Sequence, residues 1–161
     1  MVLWMLSNDI LIRYFNETML TQEQVISAIR EYFGTQENVA AVYLFGSYAD
    51  GTFRARSDVD VAVLYADDKN RSERFERRLK LMGDLEQVLK NKTDVIDLID
   101  APPVLVHQIM LSHILVLDND RDRRIELEVA KRREYFDLLP YVKRHRQAAL
   151  EQLVERGNGK W

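Results

Sequence analysis

No cysteine occurs among the 161 residues, which excludes disulfides and thiolate metal centres and suits a reducing compartment. Three prolines and six glycines are too few for a low-complexity linker, and no internal repeat is evident. No apolar run approaches the roughly 18 to 20 residues that a membrane span needs. The opening stretch, MVLWMLSNDILIRYF, carries Asn8, Asp9 and Arg13 and lacks a basic segment ahead of its apolar part, so it does not read as a secretory signal. The three histidines, His107, His113 and His145, are scattered, which argues against a histidine metal site and makes each a surface residue. A cytoplasmic protein without membrane contact is the expectation.

What is present is a chain 47% apolar, long enough for one sizeable core. Its net charge of −3 conceals an asymmetry: residues 1–120 sum to −7 and residues 121–161 to +4. A basic tail of this kind meets an acidic protein or nucleic acid, or is a solvated helix face.

Thr21 and Gln24 fit a capping box, and Val25, Ile26, Ile29 and Phe33 recur at helical spacing, so a helix is predicted over 22–33. The apolar runs 39–45 and 59–65 read as strands buried on both faces, with Tyr43 and Phe45 in the core. Between 72 and 89 the positions Phe75, Leu79, Met82, Leu85 and Leu89 predict an amphipathic helix against the sheet. A third strand is expected over 94–99, a helix opening at Pro102 and Pro103 and running to about 111, and a short strand over 114–117. From 120 to about 155 the pattern is helical. One stripe joins Ile125, Val129, Phe136 and Leu139, and another joins Val142, Ala149 and Leu153; Pro140 should break the segment into two helices. The closing GNGKW should be loose. Residues 1–20 read as an N-terminal extension, either an amphipathic helix or read-through from an upstream start, 21–119 as the core, and 120–156 as C-terminal helices suited to a partner.

One stretch carries chemistry. The strand ending at Phe45 runs into Gly46-Ser47 and a short helix over 48–50 stopped by Gly51; such a turn offers backbone amides to phosphate oxygens. Strands often end in Gly-Ser, so the turn alone says little. Ten residues later come Asp58 and Asp60, which share a face because strand side chains alternate with period two. Two unpaired carboxylates side by side repel, and oxygen-only ligands suit magnesium, which takes its remaining ligands from water and substrate phosphates. Ser57 should hold the preceding turn.

Gly46-Ser47, ten residues, then Asp58-Val59-Asp60 resembles the signature of the DNA polymerase β-like nucleotidyltransferase superfamily. The small size, TDVIDLIDAPPVLVHQI and REYFDLLPYVKRHR resemble, within it, the minimal nucleotidyltransferase (MNT) antitoxins of HEPN/MNT toxin–antitoxin pairs, over roughly residues 20–156. The resemblance implies an α+β nucleotidyltransferase fold: a small mixed sheet packed by helices, with a C-terminal helical extension. It implies Asp58, Asp60 and a third carboxylate as catalytic, magnesium-binding residues. Asp94 is preferred for the third role, with Asp97, three residues on and on the opposite face, as the competitor. Gly46 and Ser47 would cradle ATP phosphates, and Arg54 or Arg56 would neutralise pyrophosphate. The implied reaction is transfer of AMP from ATP to a tyrosine of a cognate HEPN ribonuclease toxin, with which the chain would form a hetero-oligomer, and no direct nucleic-acid contact. Arg132, Arg133, Tyr135, Lys143 and Arg146 are candidates for docking it. The alternatives are an antitoxin that acts by binding alone, or nucleotidyl transfer to a small molecule such as an aminoglycoside.

Overall fold

Two antiparallel strands, β1 (Val39–Phe45) and β2 (Val59–Tyr65), form the centre of a four-stranded mixed sheet. The computed structural model describes residues 20–67 and 69–158, with side chains to Ala148. The readings made for residues 1–19, for the side chains of Ala149 and Leu153 and for the terminal GKW lie outside the described residues. Strand β3 (Thr93–Asp97) joins β2 in parallel, β4 (His113–Asp118) joins β1 antiparallel, and the order is β3-β2-β1-β4.

Helices cover both faces, which is why β1 and β2 are continuous apolar runs rather than alternating ones. On one face lie α1 (Gln22–Phe33) and α3 (Arg71–Leu89), packed on Val42, Leu44, Val61, Val63 and Val95. On the other lie α4 (Pro103–Leu111) and the start of α5 (Arg121–Asn158), over Tyr43, Ala62 and Leu64. The intervening α2 (Ser47–Asp50) is a single turn. The capping box at Thr21 is present in both directions: the hydroxyl accepts from the Gln24 amide at 3.2 Å and the Gln24 side chain accepts from the Thr21 amide at 2.9 Å.

Three expectations are corrected. Phe75 and Leu79 do not pack on the sheet; they are 51% and 49% exposed, and the buried stripe of α3 is Arg74, Leu81, Leu85 and Leu89. The first turns of α3 lie by the edge strand β3, where Arg74 turns inward to pair with Asp97 instead. Strand β3 ends at Asp97, two residues early, because the Asp97 carboxylate accepts from the Ile99 amide and its carbonyl from the Ala101 amide, closing a turn. Pro140 does not divide the tail: α5 is one helix through it. Proline removes one interior hydrogen bond but leaves the others, and at this exposed position a bend finds nothing to pack against.

Leu85 is fully buried between α3 and the sheet. Leu85→Ala is expected to lower unfolding free energy by about 2–5 kcal/mol, measured by urea denaturation.

Candidate active site

The register of the sheet decides which acidic residues meet. Asp60 on β2 is level with Asp94 on the parallel neighbour β3 and with Phe45 on β1. Asp60 shares its face with Ala62 and Leu64, and Asp94 shares the same face with Ile96, the side covered further along by α4. Asp58, two residues before Asp60, adds a third carboxylate at this end. Asp97 lies on the opposite face, buried, with its Oδ2 accepting from Arg74 Nε at 2.8 Å. Arg74 also pairs with Asp100 at 2.6 Å and donates to the Lys69 carbonyl, so Asp97 belongs to a structural ion network.

The acidic trio bears an electrostatic load. Partial burial, then the charges of Asp94 and Asp58, raise the Asp60 carboxyl above its ordinary value near 3.8, and only Lys92 opposes this. Lys92 Nζ lies 2.6 Å from Asp58 Oδ2. The sequence reading missed Lys92, although its place two residues before Asp94 puts it on the same side of the chain. Among the described residues, no three His, Cys, Asp or Glu side chains are drawn close enough to hold a metal ion unaided. The donor set of carboxylates fits a hard cation such as magnesium that brings other oxygens with it, and one of its members, Asp58, already pairs with the Lys92 ammonium.

The phosphate-cradle candidate lies against this trio. Gly46 has φ 68° and ψ −152°, and a Cβ there would sit 2.3 Å from Asp60 Oδ2, so both conformation and space require glycine. The Gly46 carbonyl accepts from the Ala49 and Asp50 amides at 3.0 and 3.1 Å, which winds α2 directly from the strand end. Several contacts fix that turn. Gln22 Nε2 donates to the Tyr48 carbonyl at 2.6 Å, Asn91 Nδ2 donates to the Tyr48 hydroxyl at 3.2 Å and the Ser57 carbonyl at 3.1 Å, and Ser112 donates to Asp50. Tyr48 is buried and stacks on Phe53 with centroids 4.3 Å apart.

Ser57 acts on its own turn as expected: its Oγ accepts from the Arg54 amide at 2.8 Å. Arg54 and Arg56 are exposed on this loop. Phe45 is half-buried beside the trio. Of the histidines, His113 and His145 are exposed as expected, although His113 also stands edge-on to Tyr43 at 5.2 Å; His107 is instead half-buried and stacks on Tyr135 of α5 at 3.7 Å.

The family described as "Polymerase beta, Nucleotidyltransferase" matches residues 27–122, more than half of the chain. A curated relative, the protein adenylyltransferase MntA of Shewanella oneidensis, is 34% identical over 91 residues, which span 56% of this chain and 60% of that protein. The chain therefore matches less than two thirds of that relative's length. A crystal structure of a toxin–antitoxin with AMP-PNP is similar over 84% of this chain and 99% of the matched chain, with TM-score 0.58 and 26% identity. A structure of a tri-AMPylated Shewanella oneidensis HEPN toxin in complex with MNT antitoxin matches 83% and 99% of the two chains, with TM-score 0.57 and 22% identity, a likeness of fold. Among the described residues no helix is long and apolar enough to cross a membrane.

Because the Asp60 carboxyl is pushed up on folding, the native state binds more protons than the unfolded one as pH rises past about 3.8, and stability falls over that interval. Asp60→Asn is expected to raise the thermal midpoint of metal-free protein at pH 7, with the gain vanishing as the pH falls to about 3.8. A midpoint lowered at pH 7 would contradict the assignment of strain to this carboxylate.

Proposed function

As the chain belongs to the polymerase beta nucleotidyltransferase family, we propose that it is an antitoxin adenylyltransferase, which moves AMP from ATP to a tyrosine hydroxyl of a cognate HEPN ribonuclease toxin and so neutralises it. The observation that carries the reading is the gathering of Asp58, Asp60 and Asp94 at one end of one sheet face, against the Gly46 turn. The name of the Shewanella relative and the AMP-PNP complex of the similar toxin–antitoxin support the donor and the protein acceptor.

In this reading Asp58, Asp60 and Asp94 hold magnesium, which supplies the positive charge that neutralises the triphosphate when bound. The Gly46 and Ser47 amides with the Ser47 hydroxyl hold the terminal phosphates, fixed by the contacts of α2 to Gln22, Asn91 and Ser112. Asp94 takes the proton of the attacking tyrosine hydroxyl. The tyrosine oxygen bonds the α-phosphorus, the bond from that phosphorus to the β-bridging oxygen breaks, and pyrophosphate leaves toward Arg54 or Arg56 on the exposed loop. The added AMP puts bulk and negative charge on the toxin. A core over 21–119 performs this chemistry and the helix beyond it docks the toxin. On α5 Phe136, Leu138, Tyr141 and Val142 are 41–58% exposed beside Arg132, Arg133, Lys143 and Arg146, an amphipathic arm with little of its own to pack on. Tyr135, among the docking candidates, also stacks on His107 of α4.

Incubation with the product of the neighbouring gene, magnesium and labelled ATP tests the proposal. Asp94→Asn and Asp58→Asn are expected to lower labelling of the toxin at least about 100-fold with little change in stability. Asp97→Asn should instead destabilise the fold by about 3–5 kcal/mol, since it leaves Arg74 buried with its charge only partly met. Full neutralisation of the toxin by the Asp58→Asn, Asp60→Asn variant, with no label on it, would leave binding alone as the mode of action.

A further inference from the structure

Lys92 lies between the acidic trio and the Gly46 turn, and the backbone fixes it there. Its carbonyl accepts from the Val59 amide at 2.9 Å, a bond of the parallel ladder that puts Lys92 beside Asp58 in the register that puts Asp94 beside Asp60. The residue before it, Asn91, is bonded to the Tyr48 hydroxyl and the Ser57 carbonyl. Residues 91–94 therefore run from the turn to Asp94, and Lys92 and Asp94, two apart, share a face. The Lys92 side chain is 74% exposed, and its ammonium donates to Asp58 Oδ2 at 2.6 Å. Solvent reaches both ends of this pair, since the Asp58 side chain is itself 39% exposed.

Two cations thus have a claim on one carboxylate. An ammonium at 2.6 Å and a magnesium ion at its usual ~2.0–2.1 Å would stand side by side on Asp58, and like charges so placed repel. The ammonium is the weaker claimant, because an ion pair this exposed is readily broken. Released, it offers three donors and a full positive charge, which the anionic oxygens of a polyphosphate match. Those oxygens arrive close by, as the cradle begins at Gly46, against Asp60 Oδ2. We propose that Lys92 is a substrate-binding residue with two positions: it holds Asp58 until magnesium takes that carboxylate, and then donates to the triphosphate. This deepens the adenylyltransferase reading and rests on it for the identity of the nucleotide. Lys92 opposes the metal that comes alone and favours the metal that comes with nucleotide, so uptake of the two is coupled.

Lys92→Met, which keeps the aliphatic stem and removes the charge, separates the two positions. Manganese(II) alone is titrated into the full chain, with the free ion read by electron paramagnetic resonance, and AMP-PNP is titrated in saturating magnesium by calorimetry. The variant is expected to bind manganese about two- to fivefold more tightly. It should bind AMP-PNP at least about tenfold less tightly. Tripolyphosphate, which has no nucleoside, should show the same loss, and Lys92→Arg, which keeps the charge, should restore the greater part of both affinities. Constants for metal and nucleotide that move in the same direction, or that do not move, overturn the proposal. A lysine that merely steadied the trio would weaken both ligands on removal, and one that only sat in solvent would change neither. Failure of AMP-PNP and tripolyphosphate to bind the unaltered chain sinks the nucleotidyl-transfer reading, whatever the manganese titration gives. Binding of AMP-PNP that Lys92→Met leaves intact sinks the role of Lys92 alone.

Discussion

Repulsion among Asp58, Asp60 and Asp94, imposed by the pairing of β2 with β3, is the constraint around which this end of the molecule is organised. A parallel ladder cannot slip by one residue without sending an entire apolar set to the wrong face, so the packing of Val61, Val63 and Val95 fixes Asp60 beside Asp94. Hydrophobic burial thus sustains an arrangement that its own charges oppose. Lys92 relieves Asp58, and Asp60 is left with a raised affinity for protons. A site that gains by taking up positive charge follows from these facts before any nucleotide is considered.

The neighbouring turn is held in place from several directions. Gln22 reaches it from α1, Asn91 from the lead into β3, and Ser112 from the lead into β4. Gly46 is the point at which the turn and the acidic trio meet, because only the absence of a Cβ lets the chain pass Asp60 Oδ2. The opposite face shows the contrast. There Asp97 is another carboxylate and more buried, but Arg74 pairs with it, and it serves stability and the closing turn of β3.

Much of this was legible in the sequence for physical reasons. Strands buried on both faces show as unbroken apolar runs, and the capping box at Thr21 is a local device, so β1, β2 and α1 have the predicted bounds. Period two puts Asp94 and Asp97 on opposite faces, and the preference for Asp94 as the third carboxylate also drew on the place the family resemblance gives that residue. What could not be read depended on tertiary neighbours. Arg74 replaces Phe75 and Leu79 as the inward residue of α3 because Asp97 waits for it, and helical periodicity counts an arginine as polar. Pro140 forbids one hydrogen bond, whereas breaking α5 would also need something to reward the bend. Lys92 and Asn91 act on residues some thirty positions away, a relation that composition and spacing do not carry. The family match agrees with the part of the chain where the Gly46-Ser47 and Asp58-Asp60 spacing lies.

The central claim is that the acidic trio takes up a divalent cation together with a nucleotide. Calorimetric titration with AMP-PNP, in magnesium and in chelator, measures it directly. The account predicts heat of binding in magnesium, its loss in chelator, and its loss in Asp60→Asn even with magnesium present. Binding of equal strength in chelator, or binding that survives in Asp60→Asn, would contradict it.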